Sequence, residues 1–201
     1  MKRYKKLFML TLSLLLVFAL SACSSSDKNT STNKIKTNSN TKILVAYFSC
    51  TGTTKSVAKN ISDSLDATLF EIKPKEPYTS EDLNYNDENS RVSIEHNDKN
   101  AKVDISNSVS NMNEYDIVFI GYPIWWDKAP KIINTFLESY DFSGKTIVPF
   151  CTSASSDINS SVTDLKKLTS NSTNLLYGKR FSSNSSKEDI TNWLSTLNLE
   201  K

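Results

Sequence analysis

The sequence predicts an α/β domain built on an open, mostly parallel sheet. Three observations predict it. Lys42–Cys50 (KILVAYFSC) and Tyr115–Tyr122 (YDIVFIGY) carry the near-continuous β-branched and aromatic character of strands buried on both faces. Segments with apolar residues at helical spacing alternate with strand-like runs along the chain. Four glycines in 201 residues, against an ordinary ~7%, exclude collagen-like, Gly-linker and Gly-rich repeat classes.

Before the domain lies a targeting segment. Met1–Lys6 is a basic stretch, with Lys2, Arg3, Lys5 and Lys6, and Leu7–Leu20 (LFMLTLSLLLVFAL) is an apolar run. That run is short for a ~30 Å bilayer core and fits the hydrophobic region of a secretory signal peptide. Leu20-Ser21-Ala22-Cys23 follows and resembles the lipobox of bacterial lipoproteins. The resemblance implies removal of residues 1–22, lipidation of Cys23, and a location outside the cytoplasmic membrane, anchored to it. Two or three acyl chains anchor durably where one is marginal. Residues 23–40 hold the lipidated cysteine and a polar tether with one large apolar side chain, Ile35, too little to offset the entropy of ordering. The folded domain is expected over residues 41–201.

Charge narrows the partners. The chain has 24 basic and 22 acidic residues, and without residues 1–22 the balance becomes 20 against 22. Such a surface argues against nucleic acid as a partner.

Within the domain, Lys42–Cys50 is the first strand. Thr54–Leu65 is an amphipathic helix with Val57, Ala58, Ile61 and Leu65 on one face, and Ala67–Lys73 (ATLFEIK) is the second strand. Residues 74–113 are rich in Asn and Asp, with one helix expected around Leu83–His96 and loop elsewhere. Tyr115–Tyr122 is the third strand, and Ala129–Tyr140 is a helix with Ile132, Ile133, Phe136 and Leu137 inward. Thr146–Cys151 is a fourth strand despite Pro149. Ile158–Leu168 is a helix, Leu175–Lys179 a short fifth strand, and Lys187–Leu197 a closing helix.

The strongest chemical signal is Ser49-Cys50-Thr51-Gly52-Thr53-Thr54, between the first strand and the first helix. A helix N-terminus offers unpaired N–H groups and positive dipole character to an anion. The hydroxyls add donors, and Gly52 lets the backbone curl closely around a phosphate. The loop has no Lys or Arg, so neutral donors carry the recognition, and Lys55 reads as a solvated helix lysine. Other anion and nucleophile motifs fail on spacing. Thr54-Lys55-Ser56 lacks both the first glycine and the Gly-Lys pair of a P-loop, and one glycine cannot make a dinucleotide fingerprint. No G-x-S-x-G elbow is present.

Leu44-Val45-Ala46-Tyr47-Phe48-Ser49-x-Thr51-Gly52-x-Thr54 resembles the first strand and phosphate loop of the flavodoxins. The resemblance continues through Gly121-Tyr122-Pro123-Ile124-Trp125-Trp126, Ala129-Pro130, Thr135–Tyr140, Ser143–Thr146, Pro149–Thr152 and Ser160-Ser161. It is similar in particular to the subgroup with a Pro-x-Trp-Trp loop. The resemblance implies a flavodoxin-like, doubly wound, five-stranded parallel sheet of order 2-1-3-4-5, with helices on both faces. It also implies a non-covalent FMN at the carboxyl ends of the strands, where ligands of such sheets sit. Ser49, Cys50, Thr51, Gly52, Thr53 and Thr54 are then expected to hold the phosphate. Pro123, Ile124, Trp125 and Trp126 are expected to line the isoalloxazine, with a tryptophan against or beside the ring. Thr152, Ser153 and Ala154 are expected to meet it from the loop after strand four.

This implies a redox lipoprotein, either a two-electron reductase of quinone-like or other acceptors or an electron-transfer protein. Its partners are FMN, an electron donor, an electron acceptor, and the membrane through the lipid. The alternative is a lipoprotein of this shape that binds FMN, another ligand or a partner protein without redox turnover. Two departures from the family pattern bear on this. The loop after strand four, Ser153–Asp157, lacks the family's glycines and is strained if it needs positive φ. Carriers with Trp-Gly-Asp flip a peptide at that glycine to serve one-electron transfer. Trp126 stands there, and left-handed backbone costs a bulky residue roughly 1–2 kcal/mol, which predicts pairwise electron uptake.

Some residues read as bystanders. His96, the only histidine, reads as a solvated side chain, and Tyr78 and Tyr85 as loop residues outside the site. With one histidine and no Cys-x-x-Cys, no zinc or iron–sulfur ligand set is present. Cys50 and Cys151 end strands separated by a third, roughly 9–10 Å apart, and are expected to be free thiols.

Overall fold

The computed structural model describes residues 40–197 and Leu199. The expected signal peptide, Cys23 and the expected tether as far as residue 39 lie outside the described residues. Five strands form one parallel path: β1 (Ile43–Tyr47), β2 (Thr68–Glu71), β3 (Ile117–Pro123), β4 (Thr146–Thr152) and β5 (Asn174–Leu175), in the order β2-β1-β3-β4-β5. A short β6 (Lys179–Phe181) also pairs parallel with β4. The order is the one the resemblance implies.

Helices cover both faces because side chains alternate along each strand. Leu44, Ala46 and Phe48 face one way, onto α3 (Lys131–Glu138) and α4 (Asn159–Lys166), through Ile132, Ile133, Phe136, Leu137 and Leu165. Ile43, Val45 and Tyr47 face the other way, onto α1 (Thr53–Leu65) and α5 (Lys187–Ser195), through Val57, Ile61, Leu65, Ile190, Trp193 and Leu194. Each such buried aliphatic side chain stabilises the fold by about 1.5–3 kcal/mol relative to exposure. The start of α5 is set by a capping box, with Ser186 accepting from the Asp189 N–H and Asp189 accepting from Ser186.

The fifth strand departs from the expected single element. Ile147 pairs with Leu175 and Phe150 with Lys179, so three steps on β4 face four on the neighbouring segment. The extra residue lies opposite Pro149, which has no N–H to give the ladder. Gly178 passes closely here: a Cβ on it would lie 2.5 Å from Ile158 Cδ1 and 3.0 Å from the Pro149 carbonyl.

Residues 74–113 also differ from expectation. The helix expected from Leu83 starts only at α2 (Arg91–Asn97), with Ser90 capping the Ser93 N–H. Residues before it form turns tied by Asn84, Asp87 and Thr79 side chains. These short polar groups bond their own backbone and so compete with helix. The same segment shields the edge strand β2. Asn107 donates to the Glu71 carbonyl at 2.7 Å and accepts from the Lys73 N–H at 3.1 Å, which blunts an edge open to other chains.

Candidate functional site

Parallel strands bring their carboxyl ends to one edge of the sheet. Phe48 donates to the Gly121 carbonyl at 2.9 Å, and Ile124 donates to the Thr152 carbonyl at 3.0 Å. The segments after β1, β3 and β4 are therefore side by side, and every residue expected in the site lies on one of them or, as Pro123 and Thr152 do, at the strand end that leads into it.

The segment after β1 turns at Gly52, which has φ 88 and caps α1 with no side-chain bond to the helix. The N–H groups of Thr53, Thr54 and Lys55 have no carbonyl a turn behind them, and the dipole of a 13-residue helix adds partial positive charge there. Ser49 Oγ accepts from the Gly52 N–H at 3.1 Å, which closes the turn. Cys50, Thr51 and Gly52 are exposed, and Ser49 and Thr53 half-buried.

Thr54 is different. It is buried, and its hydroxyl lies 2.7 Å from the Thr152 hydroxyl, also buried. This pair ties the first turn of α1 to the end of β4. What Thr54 has to offer a ligand is its backbone N–H.

The structure divides the two tryptophans. Trp125 is buried, edge-on to Phe48 at 5.8 Å and to Tyr78 at 5.5 Å. Trp126 is 39% exposed, with Tyr85 edge-on at 5.0 Å and His96 tilted against it at 4.8 Å. Trp126 and Asp127 both have left-handed backbone, φ 46 and φ 62. They are the central residues of a turn closed by reciprocal bonds between Trp125 and Lys128, at 2.9 and 3.0 Å. Trp126 therefore occupies the conformation that the sequence argument counted against it.

The loop after β4 answers a conditional expectation. None of Ser153–Asp157 has positive φ, so the missing glycines cost it no backbone strain. Ser153 donates to the Phe181 carbonyl, and Arg180 reaches back to the Ser153 and Ala154 carbonyls at 3.1 and 3.4 Å.

The fold adds Arg91 and Glu95, which no motif marks, and places Tyr78, Tyr85 and His96 beside the Trp125–Trp126 loop. Tyr78 is half-buried with the Arg91 guanidinium 3.9 Å over its ring and its hydroxyl donating to Glu95 at 2.7 Å. Tyr85, an exposed loop residue, and His96, half-buried, flank Trp126. Only the i,i+4 spacing of Arg91 and Glu95 was a legible sign of this cluster. Desolvation, with smaller contributions from Lys128 and Lys131, lowers the pKa of His96 and favours its neutral form. Cys50 and Cys151 are free thiols, and burial pushes the Cys151 thiol up to about 12, so it is not an activated nucleophile.

A flavodoxin family profile matches residues 42–197. Among solved structures, a protein of Bacteroides eggerthii provisionally described as a flavoprotein is similar at 46% identity, with TM-score 0.73, over 78% of this chain and 98% of that one. One of Bacteroides uniformis with the same description has 41% identity and TM-score 0.73, over 77% of this chain and 98% of its own. A Lactobacillus acidophilus flavoprotein solved in complex with FMN shares the fold at 22% identity and TM-score 0.55, covering 76% and 98%. No protein with a curated description matches.

Proposed function

Since the chain belongs to the flavodoxin family, we propose that it binds FMN at the carboxyl edge of its sheet and serves as a redox protein outside the cytoplasmic membrane. The observation that carries this reading is the N-terminus of α1, opened by left-handed Gly52 with no side-chain cap and flanked in the chain by the hydroxyl residues Ser49, Thr51 and Thr53. A phosphate monoester fits this donor set. Backbone N–H groups take its oxygens, the helix dipole meets its charge, and Cys50 and Thr51 stay at the surface where it enters. The similarity to a flavoprotein solved with FMN supports the same assignment.

Bound FMN supplies the electron chemistry. The chain supplies position. Trp126, three residues past the end of β3 and partly exposed, is the residue we assign to the flavin ring, and Pro123 and Ile124 lead into it. Thr152, Ser153 and Ala154 border the site from β4, in a loop held by Arg180. Lipidation of Cys23 keeps the domain on the outer side of the membrane and sets its electron donor apart from cytosolic NAD(P)H.

The favoured reaction is two-electron reduction of quinone-like acceptors. Anaerobic mixing of chemically reduced holoprotein with menadione tests it. Reoxidation faster than that of free reduced FMN, with the hydroquinone as product, is expected. Reoxidation no faster than the free cofactor rules the reductase out and leaves FMN binding standing.

A further inference from the structure

We propose that Tyr78 is a positioning residue that holds the phosphate loop and the Pro-x-Trp-Trp loop in register with each other, a role that rests on the FMN reading above. Its ring touches the root of both loops. Phe48, at 5.7 Å and 57°, immediately precedes Ser49; Trp125, at 5.5 Å and 71°, immediately precedes the left-handed Trp126. Phe48 and Trp125 meet each other edge-on at 5.8 Å, so the three rings form a closed cluster with Tyr78 the member that comes from the 74–113 segment. Tilted and edge-on contacts have defined geometry, so displacing one ring displaces the others.

Space-filling alone does not call for a tyrosine. A phenylalanine makes the same ring contacts. The hydroxyl is used instead as a handle: it donates to Glu95 Oε2 at 2.7 Å, while Glu95 Oε1 accepts from Arg91 Nε at 2.7 Å. Arg91 closes the set, with its guanidinium over the Tyr78 ring at 3.9 Å and Nη1 donating to the Glu76 carbonyl at 2.9 Å. Edge, face and hydroxyl end are all engaged, and the Arg91 and Glu95 side chains are only 23% and 12% exposed, where water weakens the pair little. A phenol bonded to a carboxylate is a charge-assisted contact of the stronger kind.

The cluster also answers a local problem. Two consecutive left-handed residues without glycine persist only where the surroundings over-determine them. Trp125 is the first residue of that turn, and its ring sits in the corner made by Phe48 and Tyr78.

Tyr78→Phe keeps the ring and removes the handle; Tyr78→Leu removes both. FMN dissociation constants, from quenching of flavin fluorescence, are compared with wild type at a temperature where far-UV circular dichroism shows all three chains folded. The visible circular dichroism of the bound flavin is recorded alongside, because it reads the geometry around the ring and a packing role does not move it. The expected result is about tenfold weaker binding for Tyr78→Phe, a larger loss for Tyr78→Leu, and an altered flavin spectrum in both. If Tyr78→Leu does not fold, Tyr78→Phe decides alone. Wild-type constants and spectra in the variants, with only thermal stability lowered, overturn the positioning role and leave FMN binding intact. A wild-type chain that binds no FMN overturns both.

Discussion

Gly52 stands at φ 88, and nothing lies within 4 Å of where its Cβ would be. Gly52→Ala is therefore a test of backbone conformation without a clash. Left-handed backbone costs an alanine roughly 1–2 kcal/mol. If FMN needs that conformation, affinity falls about five- to thirtyfold. Lys55→Ala, exposed and one residue beyond the loop, is expected to change affinity less than about twofold. FMN titration of the two variants checks this, and a larger loss from Lys55 contradicts recognition by neutral donors. The residue scale is also where the sequence was read too directly. Composition shows that Thr54 has a hydroxyl but not that Thr152, 98 positions away, takes it. The ring contacts of Tyr78, Tyr85 and His96 are illegible for the same reason: their partners come from other segments, and no local pattern records them.

At the scale of elements, legibility follows periodicity. β1, β3, α1 and α3 bury regular faces and were placed within a few residues. The turns between residues 78 and 90 follow from Asn, Asp and Thr side chains bonding nearby backbone, which no hydrophobic period reports. The break between β5 and β6 depends on pairing register with Pro149, a long-range relation. The turn at Trp125–Lys128 carries a prediction of its own. Left-handed conformation at both central residues is the pattern of a type I′ turn, and flipping its central peptide gives type II′, which wants glycine at the first central position. That position is Trp126. The reason for pairwise electron uptake thus shifts from the left-handed conformation, which Trp126 already has, to the flip, which it opposes. Potentiometric reduction of the holoprotein is expected to show one two-electron step, and Trp126→Gly to separate it into two. Two well-separated steps in the wild type contradict this.

For the whole molecule, strand–helix alternation is enough to anticipate a parallel sheet, and the general rule for such sheets assigns the site to the carboxyl edge. Parallel pairing makes that edge unavoidable, since every strand ends there. The targeting segment has its own test. Cys23→Ala is expected to release the protein from the membrane fraction or to leave it unprocessed, because the proposed anchor is the lipid on Cys23, and among the described residues no helix is long and apolar enough to cross a membrane. A variant that is processed normally and stays membrane-bound contradicts lipid anchoring.

All of these rest on one cofactor. The most direct measurement is the amount of flavin bound per protein chain, read from visible absorbance against protein concentration after the purified protein is saturated with FMN and freed of excess. One FMN per chain is predicted, with riboflavin, which lacks the phosphate we assign to the N-terminus of α1, retained far less. No retained flavin, or equal retention of riboflavin and FMN, contradicts the assignment.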